Sequence, residues 1–180
     1  MMHLIGTISS SGGAKTSFES IASVVGNGTS GIINFSSIPS TYQDLELHIT
    51  QFNNNGFLGL YINDASAASD YNAAIMFATG NGYGQLIQTR SSIIASGYNG
   101  DDTTQTFPTS IVFRFPQYAN PNTTKNVDGF IGLATSTAGG SAVSYNSTRR
   151  LSINVINQIS LTTSGSLNSN TVAALYGIKG

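Results

Sequence analysis

From Asp44 to Thr50 the chain alternates without a miss. Leu45, Leu47 and Ile49 fall on one side, and Asp44, Glu46, His48 and Thr50 on the other. Successive side chains of a β-strand point to opposite faces, so this stretch has one buried and one wet face and fits no helical register. Just upstream, the apolar run Ile32, Ile33 and Phe35 enters a break at Ser36-Ser37-Ile38-Pro39-Ser40. Pro39 has no amide proton for a sheet ladder and biases Ile38 away from helix. Residues 31–49 therefore read as strand, turn, strand, a hairpin around which the remaining segments are arranged.

The same device recurs along the chain. Alternating or apolar runs at Phe57 to Ile62, Ala73 to Ala78, Leu86 to Ile94, Phe107 to Phe115, Val127 to Ala134, Ala142 to Tyr145, Leu151 to Ile156, Ile159 to Thr163 and Thr171 to Ile178 are expected strands. Phe18 to Val25 reads as a strand or a single helical turn. Asn53-Asn54-Asn55-Gly56 and the segment from Gly80 to Gly84 carry turn residues, and Gly97 to Gln105 is a polar loop. Asp64 to Tyr71 is rich in Ala with an Asp to cap it, which makes it the best place for a helical turn. Short strands at spacings near ten residues signal an antiparallel β-sandwich, jelly roll or barrel. A chain of 180 residues in that class is one domain: residues 18–180 form the body, and residues 1–17 an extended arm with a Ser/Gly linker.

Composition narrows the function. Only 8% of residues are charged, against about 25% in a typical soluble protein, and Ser, Thr and Asn supply about a third of the chain. The surface is therefore polar without being ionic. A net charge of -1 and a pI near 6.0 leave no basic footprint for nucleic acid. Weak self-repulsion permits close packing against identical or unlike copies. There is no cysteine, hence no disulfide or thiolate metal site. Ser and Gly interrupt the start before a signal-peptide apolar core forms, and no run approaches a membrane span, so a cytoplasmically made protein without membrane insertion is expected.

Gly26-Asn27-Gly28-Thr29-Ser30-Gly31 matches the dinucleotide string G-x-G-x-x-G, but the residues that follow form a strand. No helix end is then available for phosphate, and a Gly-rich turn is the reading. Among the acids, Asp44 and Glu46 share a strand face and come nearest to a catalytic pair; a solvated face is the better account. Asp101 and Asp102 lack the spaced oxygen ligands of a calcium loop. His3 and His48 stand apart, and no G-x-S-x-G elbow or H-E-x-x-H helix occurs. No enzyme activity, metal or cofactor is implied. Tyr83, Tyr98 and Tyr145 lie in polar segments read as loops, where an aromatic ring can stack on a sugar or fill a subunit contact; Trp, the strongest such platform, is absent.

Three blocks carry a resemblance. Phe35 to Tyr42 (FSSIPSTY) leads into Leu45 to Ile49, Gln117-Tyr118-Ala119-Asn120 precedes Lys125, and the chain closes on Ala174 to Gly180 (ALYGIKG). Together they resemble a diverse family of tailed-bacteriophage virion proteins, common in phages of aquatic bacteria, whose jelly-roll or sandwich domains decorate capsids or end tail fibres. The resemblance implies a non-enzymatic capsid decoration (cement) protein on the capsid exterior, usually a homotrimer, that binds and stabilises neighbouring major capsid subunits. The alternative it leaves open is a tail or neck fibre domain that recognises host-surface glycans. A long shaft or heptad repeat before the body, usual in fibres, is missing. Residues 1–17, with Met2, Leu4 and Ile5 as their apolar content, are expected to order against the capsid or an adjacent subunit.

Overall fold

The computed structural model describes residues 17–51, 58–67, 69–79, 82–94, 109–133, 142–163 and 165–180. Met2, Leu4 and Ile5, the Asn53 to Gly56 turn, and the Gly97 to Gln105 loop with Tyr98, Asp101 and Asp102 lie outside the described residues. The rest is all-β, in strands β1 (Phe18–Val25), β2 (Ile32–Phe35), β3 (Asp44–Gln51), β4 (Leu58–Ile62), β5 (Tyr71–Thr79), β6 (Gly82–Arg90), β7 (Ile93–Ile94), β8 (Thr109–Phe115), β9 (Lys125–Leu133), β10 (Ala142–Arg150), β11 (Ile159–Thr163) and β12 (Val172–Ile178).

Eight strands form one antiparallel sheet in the order β1-β12-β3-β8-β9-β10-β5-β6, and four form a second in the order β2-β11-β4-β7. The chain passes back and forth between the sheets, staying in one sheet only along β5-β6 and β8-β9-β10, as a jelly-roll sandwich does. The core lies between them. Leu45, Leu47 and Ile49 of β3, Phe113 and Phe115 of β8 and Leu175 of β12 meet Leu58, Leu60 and Ile62 of β4 and Leu161 of β11, all buried.

Three expectations need correction. The pair around Pro39 is not a hairpin, because β2 and β3 lie in different sheets and the Pro-containing segment carries the chain from one to the other. Its backbone is held by other segments: Ile38 N–H donates to the Asn157 carbonyl (3.0 Å), and Gln43 N–H to Ile178 (2.8 Å). There is no helical turn at Asp64. Asn63 and Asp64 both take positive φ (49° and 55°), and Ala65 N–H bonds the Ile62 carbonyl (3.0 Å), the pattern of a type I′ turn. Finally, residues 151–156 are not a strand. Their hydrogen bonds go to turns instead: Leu151 N–H to the Asp70 carbonyl, Ile156 N–H to the Tyr118 carbonyl, and the Val155 carbonyl to the Asn63 amide.

The three blocks that carry the resemblance meet at one end of the sandwich. The buried Tyr118 hydroxyl donates to the Pro39 carbonyl and accepts a long bond from Tyr42 N–H (3.4 Å). The Tyr42 ring packs on Gly177 and its hydroxyl reaches Glu19 (3.1 Å), which also pairs with Lys179. The buried Lys125 ammonium satisfies the turn after β8 by donating to the Asn120 and Thr123 carbonyls. Burial, and then the neighbouring Arg150, lower its pKa from the usual lysine value. These blocks are a structural knot.

Candidate binding face

One face of the eight-stranded sheet covers the core, and among the described residues no element covers the other, open face. Register across the strands sets its side chains in rows. One row runs Ser23, Ala174, His48, Val112, Phe130, Tyr145, Met76 and Gln85 from β1 to β6; the next runs Val25, Val172, Thr50, Ser110, Gly132, Val143, Ala78 and Tyr83. These two rows form a band with no Asp, Glu, Lys or Arg, spanning eight strands and so roughly 34 Å at ordinary strand spacing. The charges stand one row further on, where Asp128, Arg114 and Glu46 are neighbours across β9, β8 and β3.

Large apolar side chains are exposed along this band: Phe130 (59%), Val143 (62%) and Met76 (57%), with Tyr83 at 92%. For Val143 the residues beside it explain the outward direction. On β10 the inward positions are Ser144, Asn146, Thr148 and Arg150, all buried, so Val143 and Tyr145 are left on the open side. The strand is inverted with respect to the usual apolar-in, polar-out alternation.

At the β6 side the band deepens into a groove of about 630 Å³. Met76 and Ala78 of β5 are its floor, Tyr83 and Gln85 of β6 one wall, and Val143 and Tyr145 of β10 the other. Ala78 has the shortest side chain of the six and keeps the floor low between its cross-strand neighbours Val143 and Tyr83. Tyr145 is fixed: its ring lies 5.0 Å from that of Phe130, and its hydroxyl donates to Asp128 Oδ1 (3.2 Å), which also accepts from Ser147 (2.8 Å). Burial, then the Asp128 charge, push the Tyr145 pKa up, which keeps the phenol a neutral donor. A second hollow of about 240 Å³ lies further along the band, around Thr50, Ser110 and Val172. Beside it Tyr176 stacks on Phe18 (4.6 Å) and meets His48 edge-on (5.2 Å).

Tyr83 and Tyr145 are thus brought together, but on strands rather than in the loops expected for them. Met76, Gln85, Phe130 and Val143 join them, from positions that no motif in the sequence marks. The signal that points to them is the run Val143-Ser144-Tyr145-Asn146-Ser147-Thr148, whose alternation reads equally well with either face inward. Asp44 and Glu46 share the open face as expected, and each is engaged locally: Asp44 accepts from Gln117 N–H (2.9 Å) and faces Arg114 (3.9 Å), while Glu46 meets His48 (2.7 Å). The Gly26 to Gly31 segment is a turn into strand β2. Asn27 Oδ1 accepts from the Thr29 and Ser30 amides (2.9 and 2.7 Å), and Gly28 takes φ +77°. Among the described residues, no three His, Asp or Glu side chains converge to hold a metal ion.

No protein-family model and no curated protein matches this chain. Among solved structures it is similar to a tetrameric galectin from Cinachyrella sp. (ball sponge), at 12% identity and TM-score 0.35 over 83% of this chain and 99% of that one. It is also similar to an engineered GH43 glycoside hydrolase (8%, TM-score 0.27, 82% of this chain and 34% of that one) and to the Emp47p carbohydrate recognition domain (8%, TM-score 0.20, 93% and 100%). Likenesses this distant carry no argument about what the chain binds.

Proposed function

We propose that this chain is a non-enzymatic structural protein of a tailed-bacteriophage virion, one that decorates the capsid and steadies neighbouring major capsid subunits. The observation that carries the reading is the uncharged band across the eight-stranded sheet, added to the resemblance in the three sequence blocks. A flat face with exposed Phe130, Val143 and Met76 among Ser and Thr suits a broad, partly wet contact. Burying one such apolar side chain on a partner is worth about 1.5–3 kcal/mol before ordering costs. A single copy then holds modestly, and repetition over a shell supplies the rest through avidity. In this reading residues 1–17, with Met2, Leu4 and Ile5, give a second attachment to the capsid. Quantitative mass spectrometry of purified particles tests it: many copies per particle are expected, and a few copies confined to the tail, or none, contradict it.

A second reading, host-surface glycan recognition by a tail or neck appendage, is favoured by the groove between Tyr83 and Tyr145. An exposed ring, a fixed phenol and the Gln85 amide are groups that stack on a sugar and bond its hydroxyls. A glycan array on the purified chain tests this reading. Binding that disappears in Tyr83→Ala supports it, and an array without signal removes it.

A further inference from the structure

We propose that two copies of this chain join β6 to β6, antiparallel about a twofold axis at Leu86, so that each eight-stranded sheet continues into its partner. An unpaired edge strand offers a row of backbone N–H and C=O groups, and proteins ordinarily blunt such edges with bulges, charges or short length. Among the described residues, three of the four sheet edges are blunted. Strand β1 carries a register shift between Ser20 and Ala22, with Glu19 beside it; β2 has four residues and β7 two. Strand β6 has no bulge and no shortening, and its one charge, Arg90, stands at its last position. It is nine residues long, its register with β5 is unbroken, it holds no proline, and no charged residue stands between Tyr83 and Thr89. Among the described residues no strand pairs with its outer edge.

The occupant that fits is a second β6. Residues directly opposed in an antiparallel pair share a face, so an axis through Leu86 keeps the open faces of both sheets on one side. Tyr83 then stands opposite the partner's Thr89, and Gln85 opposite the partner's Ile87, while Leu86 meets its own copy. Tyr83 and Ile87, exposed at 92% and 81%, gain neighbours, and no like charges are set opposite each other. A net charge of -1 adds little repulsion between copies. Strand β1 as the partner edge would have to accommodate its bulge, which bends the strand away from regular pairing. The inference is independent of what the band binds, and it puts a twofold pair in place of the homotrimer that the resemblance implies. Under either reading it sets two grooves on one face of one continuous sheet, side by side across the seam.

Light scattering on the full chain is expected to give twice the chain mass of 18.8 kDa. Leu86→Lys, which sets two ammonium groups opposite each other on the axis, is expected to give single chains with an unchanged circular dichroism spectrum. Because Leu86 also packs on Ala73 and Ile75, a second variant keeps the test open: Gln85→Cys with Ile87→Cys, in a chain that has no other cysteine. Mild oxidation is expected to yield a covalent dimer that reductant reverses. A wild-type mass of one chain or of three, or a dimer whose cysteines do not cross-link, overturns the proposal.

Discussion

The ring of Tyr42 lies directly on the backbone of Gly177, so close that a Cβ added to Gly177 would clash with the ring carbons. The contact joins the Pro39 crossing to the last strand, two segments far apart in sequence. Gly177 is inward-facing and buried on β12, and only the absence of a side chain lets the aromatic ring cover that position. Gly177→Ala is therefore expected to cost about 1–3 kcal/mol by overpacking. Urea unfolding followed by circular dichroism measures it, and an unchanged midpoint would remove this contact from the account of the knot.

The same end of the sandwich depends on the hydroxyl of Tyr118. It donates to the Pro39 carbonyl and accepts from Tyr42 N–H, and burial raises its pKa, so it is held as the neutral phenol. Tyr118→Phe keeps the ring and leaves both backbone groups without this partner. A loss of about 0.5–1.5 kcal/mol is expected, the net worth of a hydrogen bond to partly exposed backbone groups. Chemical denaturation of the variant beside wild type checks it.

The strands were legible wherever one face is apolar and the other polar. The alternation of β3, and that of Thr109, Ile111, Phe113 and Phe115 in β8, match the buried faces one for one. What alternation does not encode is sheet membership. Nothing local distinguishes a hairpin from the crossing at Pro39, because the deciding bonds, Ile38 to Asn157 and Gln43 to Ile178, go to residues more than a hundred positions away. Nor does it encode which face is inward when both carry plausible residues. Val143 and Tyr145 look like core until register with β5 and β9 sets Ser144, Asn146 and Thr148 inside. For the same reason the tyrosines of the groove were picked out, while the apolar band that contains them was not.

Alkaline pH probes the sandwich interior through Tyr71. Its buried hydroxyl accepts from Ile62 N–H (2.9 Å) and donates to the Ala65 carbonyl (3.2 Å). Desolvation outweighs the opposing pull of the Ile62 amide and Arg150, and its pKa is pushed up to about 12. A group whose folded pKa is raised keeps its full contribution below the unfolded value, near 10, and loses it as pH rises toward the folded value. Stability is expected to fall between about pH 10 and 12, by up to about 3 kcal/mol from this residue. Thermal melts across that window test it, with a shallower slope expected in Tyr71→Phe.

If residues 1–17 anchor the chain, removing residues 2–16 separates attachment from folding. The truncated chain is expected to keep its β-rich circular dichroism spectrum and to fail to bind particles that lack the protein. Co-sedimentation measures this, and full decoration by the truncated chain would assign attachment to the body alone.

Adhesion through the open face of the large sheet is best tested by placing charge in the middle of the band. Phe130 and Val143 are both largely exposed, so Phe130→Asp with Val143→Asp leaves the core untouched. Occupancy on purified particles, measured beside wild type with circular dichroism as the folding control, is the deciding quantity. A folded variant that is lost from the particles is expected; a folded variant present at wild-type occupancy would contradict adhesion through this face.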